Sequence, residues 1–259
     1  MRHHAIVSMI AVLMVAYAAA ITTAQTSITQ SREYLADPSL SDAQNFSGVW
    51  QLETYSPKLL PVDASSLPFT KEGKLLFDNN AKDLKKSDAA YRRCVPLGTP
   101  RAFISPYPFL IVQSAERLLA LFEQNRTVIG IYMNSQHKDP KIWDPSFVGD
   151  GIAQWEGDEL VADIVNQNGQ GWIDDSGVPT SEKLHVIERW KKAGSRLEVT
   201  LTIDDPVIFT RPWTARMTYA PRPGAEVEDG WVCDEPHRSV ANVKGAAAYF
   251  PDSATKITR

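Results

Sequence analysis

The chain has 259 residues, of which 43% are hydrophobic and 22% charged, and carries a formal net charge of −4. That length suits one all-β domain or two small ones, with ample material for a core. The mild acidity lacks the basic footprint of a nucleic-acid binder, and no basic cluster longer than Lys191-Lys192 marks an anionic membrane surface as a partner.

Taken in chain order, the first element is a leader. Arg2 precedes an apolar run, "AIVSMIAVLMVAYAAA" (residues 5–20), that ends in small residues. A charged start, a short apolar core and an Ala18-x-Ala20 or Thr22-x-Ala24 cleavage option predict a signal peptide over residues 1–24. About 20 apolar residues are needed to span a bilayer, so this run is short for a retained anchor. The expectation is an exported chain, periplasmic or secreted, with no membrane span after cleavage. Cys94 and Cys233 are the two cysteines. An even count in an exported protein favours one disulfide over a metal site, the alternative being two buried thiols.

Residues 25–44 are polar and turn-rich and read as a flexible leader. "FSGVWQLE" (46–53) reads as the first strand. "TKEGKLLFDNNAKDLKK" (70–86) reads as the one helix, with Thr70 as N-cap. Residues 93–108 hold four prolines and break any regular element. From Phe109 the character changes: "FLIVQ", "LLALFE" and "TVIGIYM" are short apolar runs separated by polar breaks. Two more strands flank the turn Glu156-Gly157-Asp158, and after a loop come "KLHVIERW", "RLEVTLTIDDP" and "WTARMTYAP". The nine candidates, all joined by hairpin connections, predict one antiparallel barrel domain over 45–240, with a tail at 241–259. A barrel of 8–10 strands removes exposed edges and encloses room for one small ligand.

The stretch "SEKLHVIERWKK" (181–192) contains His185-x-x-Glu188, which would share one face of a helix. Its neighbours favour a strand. Ala193-Gly194-Ser195 is a hairpin break, and an alternating strand follows at once. As a strand, Leu184, Val186, Glu188 and Trp190 form one face, and His185 and Arg189 the other. The pair is then split, which argues against a metal site. Glu188 falls on the apolar side, where a carboxylate must be hydrogen-bonded, ion-paired or raised in pKa.

Several segments together, "PLGTPR", "PYPFLIVQ", "QWEGDELVAD", "WIDDSGVPTSEKLHVIERW", "DDPVIFTRPWTA" and "WVCDEPHR", resemble a family of exported, mostly uncharacterised bacterial proteins. The resemblance spans roughly residues 46–240. The family is similar in pattern to lipocalin-like (calycin) barrels, which implies the same fold and strand reading but no activity.

Glu188 is the leading candidate acid/base group, with an ion pair to Arg211 or Arg216 as the alternative. His185, Asp163 and Tyr132 are candidate aids to proton transfer, with an outer-face histidine and a structural aspartate as the plainer readings. Arg211, before Pro212, suits an anionic group or a turn partner at Asp204 or Asp205. His137, Trp143 and Trp172 lie in the two longest loops of the strand-rich half. Gathered at one rim they would form an aromatic mouth for a flat, apolar ligand, or Trp143 and Trp172 would plug the barrel end, and Trp190 beside Glu188 is a further candidate substrate contact. Five scattered histidines and no G-x-S-x-G elbow predict no metal, no cofactor and no ordinary serine hydrolase. Three functions fit. The first is a cofactor-independent lyase, isomerase, cyclase or hydratase acting on a small apolar or aromatic compound. The second is a carrier for such a molecule, and the third a structural module whose interior is filled. The sequence leaves the oligomeric state open.

Overall fold

A computed structural model describes residues 37–227. The proposed signal peptide, most of the leader, the tail and Cys233 lie outside the described residues, and with Cys233 so does the expected Cys94–Cys233 pairing.

Nine strands close into one barrel. They are β1 (Gly48–Leu52), β2 (Phe109–Gln113), β3 (Arg117–Phe122), β4 (Val128–Met133), β5 (Asp150–Glu156), β6 (Glu159–Val165), β7 (His185–Ala193), β8 (Arg196–Asp204) and β9 (Trp213–Pro221). Each pairs with the next in sequence, and β1 returns to β9 through Trp50↔Pro221, Gln51↔Ala220 and Leu52↔Tyr219. This is the expected all-β closed barrel of eight to ten strands, with the strand reading of 185–193 correct. Alternation drives it: in β8, Leu197, Val199, Leu201 and Ile203 are buried while Glu198 faces solvent. Gly157 and Gly194, at φ +66° and +61°, close the two expected hairpins.

Two expectations are corrected. The pair β4–β5 is parallel, with Ile131↔Gly151 and Met133↔Ala153 in register, so residues 134–149 are a crossover and not a hairpin loop. A parallel neighbour must start at the opposite end of the barrel, and only a long connection can make that trip. The single helix is three: α1 (Lys71–Lys82), α2 (Leu84–Ser87) and α3 (Ala89–Arg93). Asp83 breaks the run because its side chain accepts from the Lys86 N–H and caps a new turn, as Asp88 does for Ala90. Thr70 caps α1 as expected, accepting from Gly73 N–H at 2.9 Å. Among the described residues no helix is long and apolar enough to cross a membrane.

The strand directions put residues 53–108, 166–184 and 205–212 at one end of the barrel, and the short turns at 114–116, 157–158 and 194–195 at the other. Both ends are stoppered. At the turn end, residues 37–46 dock back. Asp37 accepts from Ala115 N–H, and Gln113 accepts from Phe46 N–H at 2.9 Å. Phe46 enters the core against Trp155 and Trp190. At the loop end the 3₁₀ turn Arg101–Ile104 drops Phe103 inward, edge-on to Trp190, Phe109 and Phe122 at 4.9–5.7 Å.

α1 lies on this cap because Gly73 permits it. A Cβ there would meet the Ile208 carbonyl oxygen at 2.2 Å. Gly→Ala in a helix ordinarily gains about 1 kcal/mol. Here Gly73→Ala is expected to lower stability by roughly 1–3 kcal/mol, the usual cost of overpacking. Urea denaturation measures it, and a gain would contradict the contact.

Candidate functional site

Glu188 is where the pleat of β7 places it, facing inward between Ala162 of β6 and Leu201 of β8. It is 0% exposed. Its oxygens accept from the Thr99 hydroxyl and, at 2.9 Å, from the Trp190 indole N–H. Both donors are neutral, so the ion-pair alternative fails. Arg216 points outward from β9, and Arg211 sits on an exposed loop with Asp63 at 3.2 Å. Burial raises the carboxyl pKa from 4.5 to about 7, against the opposing pull of its two hydrogen bonds. Burial, followed by the Glu188 charge, also pushes the Tyr219 phenol well up; its hydroxyl donates to the Phe103 carbonyl at 2.9 Å.

A carboxyl tuned near neutrality suits acid/base work, but proton transfer needs a substrate within hydrogen-bond reach. The space beside Glu188 is taken by the chain itself. Trp190, expected as a substrate contact, is a core residue packed between Phe46 and Phe103.

The other proposed acid/base groups are not brought to Glu188. His185, Asp163 and Tyr132 all face outward, as the plainer readings of His185 and Asp163 have it. In β6 the buried face is Leu160, Ala162 and Ile164. Instead, the outer wall gathers His185, Asp163 and His137. Asp163 Oδ1 lies 2.8 Å from His185 Nε2 and 3.3 Å from His137 Nε2, while His137 Nδ1 lies 3.1 Å from buried Asp150. Asp150 also accepts from Lys138 N–H at 2.8 Å. These contacts tie the crossover 134–149 to the wall. Among the described residues, no group of three or more His, Cys, Asp or Glu is arranged to hold a metal ion.

The aromatic mouth does not assemble either. Trp143, 54% exposed, and Tyr132 flank the Lys138 ammonium at 4.8 and 5.8 Å on the outer wall. Trp172 is buried elsewhere, under the Arg101 guanidinium at 5.1 Å. The two loops do meet, with Asn166 Nδ2 donating to the Trp143 carbonyl at 3.3 Å and Ser146 bridging Gln167, but each indole packs against its own cation and the two rings do not form one platform.

One opening among the described residues is a seam in the wall. β1 and β9 pair over three positions only. Beyond them Glu53 N–H donates to Thr218 O at 2.9 Å and Val62 N–H to Thr214 O at 2.8 Å. Between these bonds residues 54–61 bow away, leaving a half-open groove of about 310 Å³. Leu52, Leu59, Ile104 and Met217 supply its apolar lining, and Glu53, Lys58 and Arg216 its charged one. The sequence offers no local sign of this site, because it needs an interrupted pairing between the first strand and the last.

Fold and site together define a closed, stoppered β-barrel with a lateral, ligand-sized groove. No protein-family model matches this sequence, and no curated protein matches it. Among solved structures it is similar to the fluorescent protein UnaG, with 15% identity, a TM-score of 0.34, and coverage of 68% of this chain and 97% of that one. It is also similar to a secretary abundant heat soluble (SAHS) protein from Ramazzottius varieornatus, with 9% identity, a TM-score of 0.32, and coverage of 68% and 95%. The barrel itself is defined by the strand pairing.

Proposed function

We propose that this chain is a binding protein for a small, largely apolar molecule, acting outside the cytoplasm and holding its ligand in the groove between residues 53–62 and β9. One observation carries the reading. The groove, at about 310 Å³, lies at the small end of the range of ligand pockets, roughly 300–1,000 Å³, and its apolar residues Leu59, Ile104 and Met217 are buried members of the barrel core. The sealing of Glu188 supports binding over an enzyme that works through that carboxyl, since its neighbours and not a substrate fill the interior.

The test uses N-phenyl-1-naphthylamine, a neutral apolar dye that brightens when removed from water. Saturable one-to-one binding is expected. Thr218→Trp, an outward β9 position that lines the groove, is expected to weaken it at least about tenfold by filling the site. Absence of saturable binding, or unchanged affinity in the variant, rejects the reading. Native mass spectrometry of the protein from its own host compartment then identifies what it carries.

A further inference from the structure

Resting on that reading, we propose that the ligand of the groove is an anionic amphiphile, its apolar body on Ile104 and Met217 and its single negative group held between Lys58 and Arg216. The groove has one carboxylate among its lining residues, Glu53, and that charge is already engaged: Glu53 Oε1 lies 2.5 Å from Arg196 Nε. Lys58 and Arg216, in the same groove, are not so engaged: among the described residues neither the ammonium nor the guanidinium has a carboxylate within 4.0 Å. Two unpaired cations beside an apolar surface, on a chain of net charge −4, make a local positive field that is not matched from within the protein.

The backbone adds to it. Along β9 the Thr214 and Thr218 carbonyls both reach toward residues 53–62. Arg216 lies midway between them, so its own N–H and C=O face the same side at the point where the pairing is interrupted. An anionic head there meets a guanidinium fork, an ammonium and the single Arg216 N–H. A guanidinium fork suits a carboxylate or a sulfonate, both planar or tripodal oxyanions, better than it suits a neutral hydroxyl.

The probe pair is N-phenyl-1-naphthylamine and 8-anilino-1-naphthalenesulfonate, one ring system without and with a negative group. In the full protein the sulfonate is expected to bind on the order of tenfold tighter than the neutral dye, the size of one charge-assisted contact. Lys58→Gln with Arg216→Gln should erase that advantage, weakening the sulfonate about tenfold more than it weakens the neutral dye; both side chains are exposed, so folding is not at stake. Raised salt should shrink the advantage in the same direction. Equal binding of both dyes to the unaltered protein, or an advantage that survives in the double variant, overturns the anionic-head proposal and leaves the groove standing. Failure of both dyes to respond to Thr218→Trp removes the groove itself, and with it this proposal.

Discussion

Replacing Glu188 with glutamine is expected to abolish a fall in stability of about 3 kcal/mol that the unaltered protein suffers between pH 4.5 and pH 7. The folded-state pKa of this carboxyl is raised from 4.5 to about 7, with burial as the chief cause. A raised acid binds its proton more tightly when folded, so over that interval the native state holds a proton that the unfolded chain has lost. Stability therefore declines as pH rises from 4.5 through about 7 and, for this group, is level above it. A tenfold difference in proton affinity between the folded and unfolded chain is worth about 1.4 kcal/mol, which sets the size of the decline. Glutamine copies the neutral acid: its carbonyl accepts from Trp190 and its amide donates to the Thr99 oxygen. The variant should match the parent near pH 4.5 and exceed it by about 3 kcal/mol at pH 8. Urea denaturation of both proteins across pH 4–8 reads the difference, and parallel curves would refute it. Glu188→Leu should be worse than either at low pH, because it strands two buried donors at roughly 1–3 kcal/mol each.

Arg101→Met carries the second large effect, a loss of about 3–5 kcal/mol, the typical result of removing one partner from a buried ion pair. The Arg101 guanidinium donates to both Asp88 oxygens at 2.9 and 2.7 Å and, through Nε, to Asp175 at 2.9 Å. It also lies over the Trp172 ring. One side chain thus joins the start of α3, the 3₁₀ turn and the β6–β7 loop, and its loss leaves Asp88 buried without a cation. Urea denaturation measures the drop. A double variant that also carries Asp88→Asn should recover part of it, since the stranded charge is then gone. A loss under about 1 kcal/mol in Arg101→Met would show that the pair is dispensable.

Much of the barrel is legible from residues alone. The alternation in 197–203 and the hairpin break at Gly194 together read 185–193 as a strand, and period two then turns Glu188 inward. The same logic does not place Asp163. Both faces of β6 carry apolar residues, Leu160, Ala162 and Ile164 on one and Val161 and Val165 on the other, so the pleat separates them without saying which is buried. The register with β7, where Ala162 meets Glu188, settles it. Tyr132 is misplaced by sequence for the same reason, because Val128 and Gly130 share its outward face with no polar residue to mark it.

What the amino-acid order determined by itself is local: strand periodicity, turn glycines, helix caps and the inward bearing of one acidic side chain, all set by neighbours a few residues apart. The tertiary structure alone decided that Phe46 and Phe103 stopper the two ends, that residues 134–149 cross over, and that the wall parts between residues 53–62 and β9. Those features join segments tens to more than a hundred residues apart. No short-range pattern encodes them; they follow from the need to fill a closed barrel to solid density and to satisfy every buried polar group.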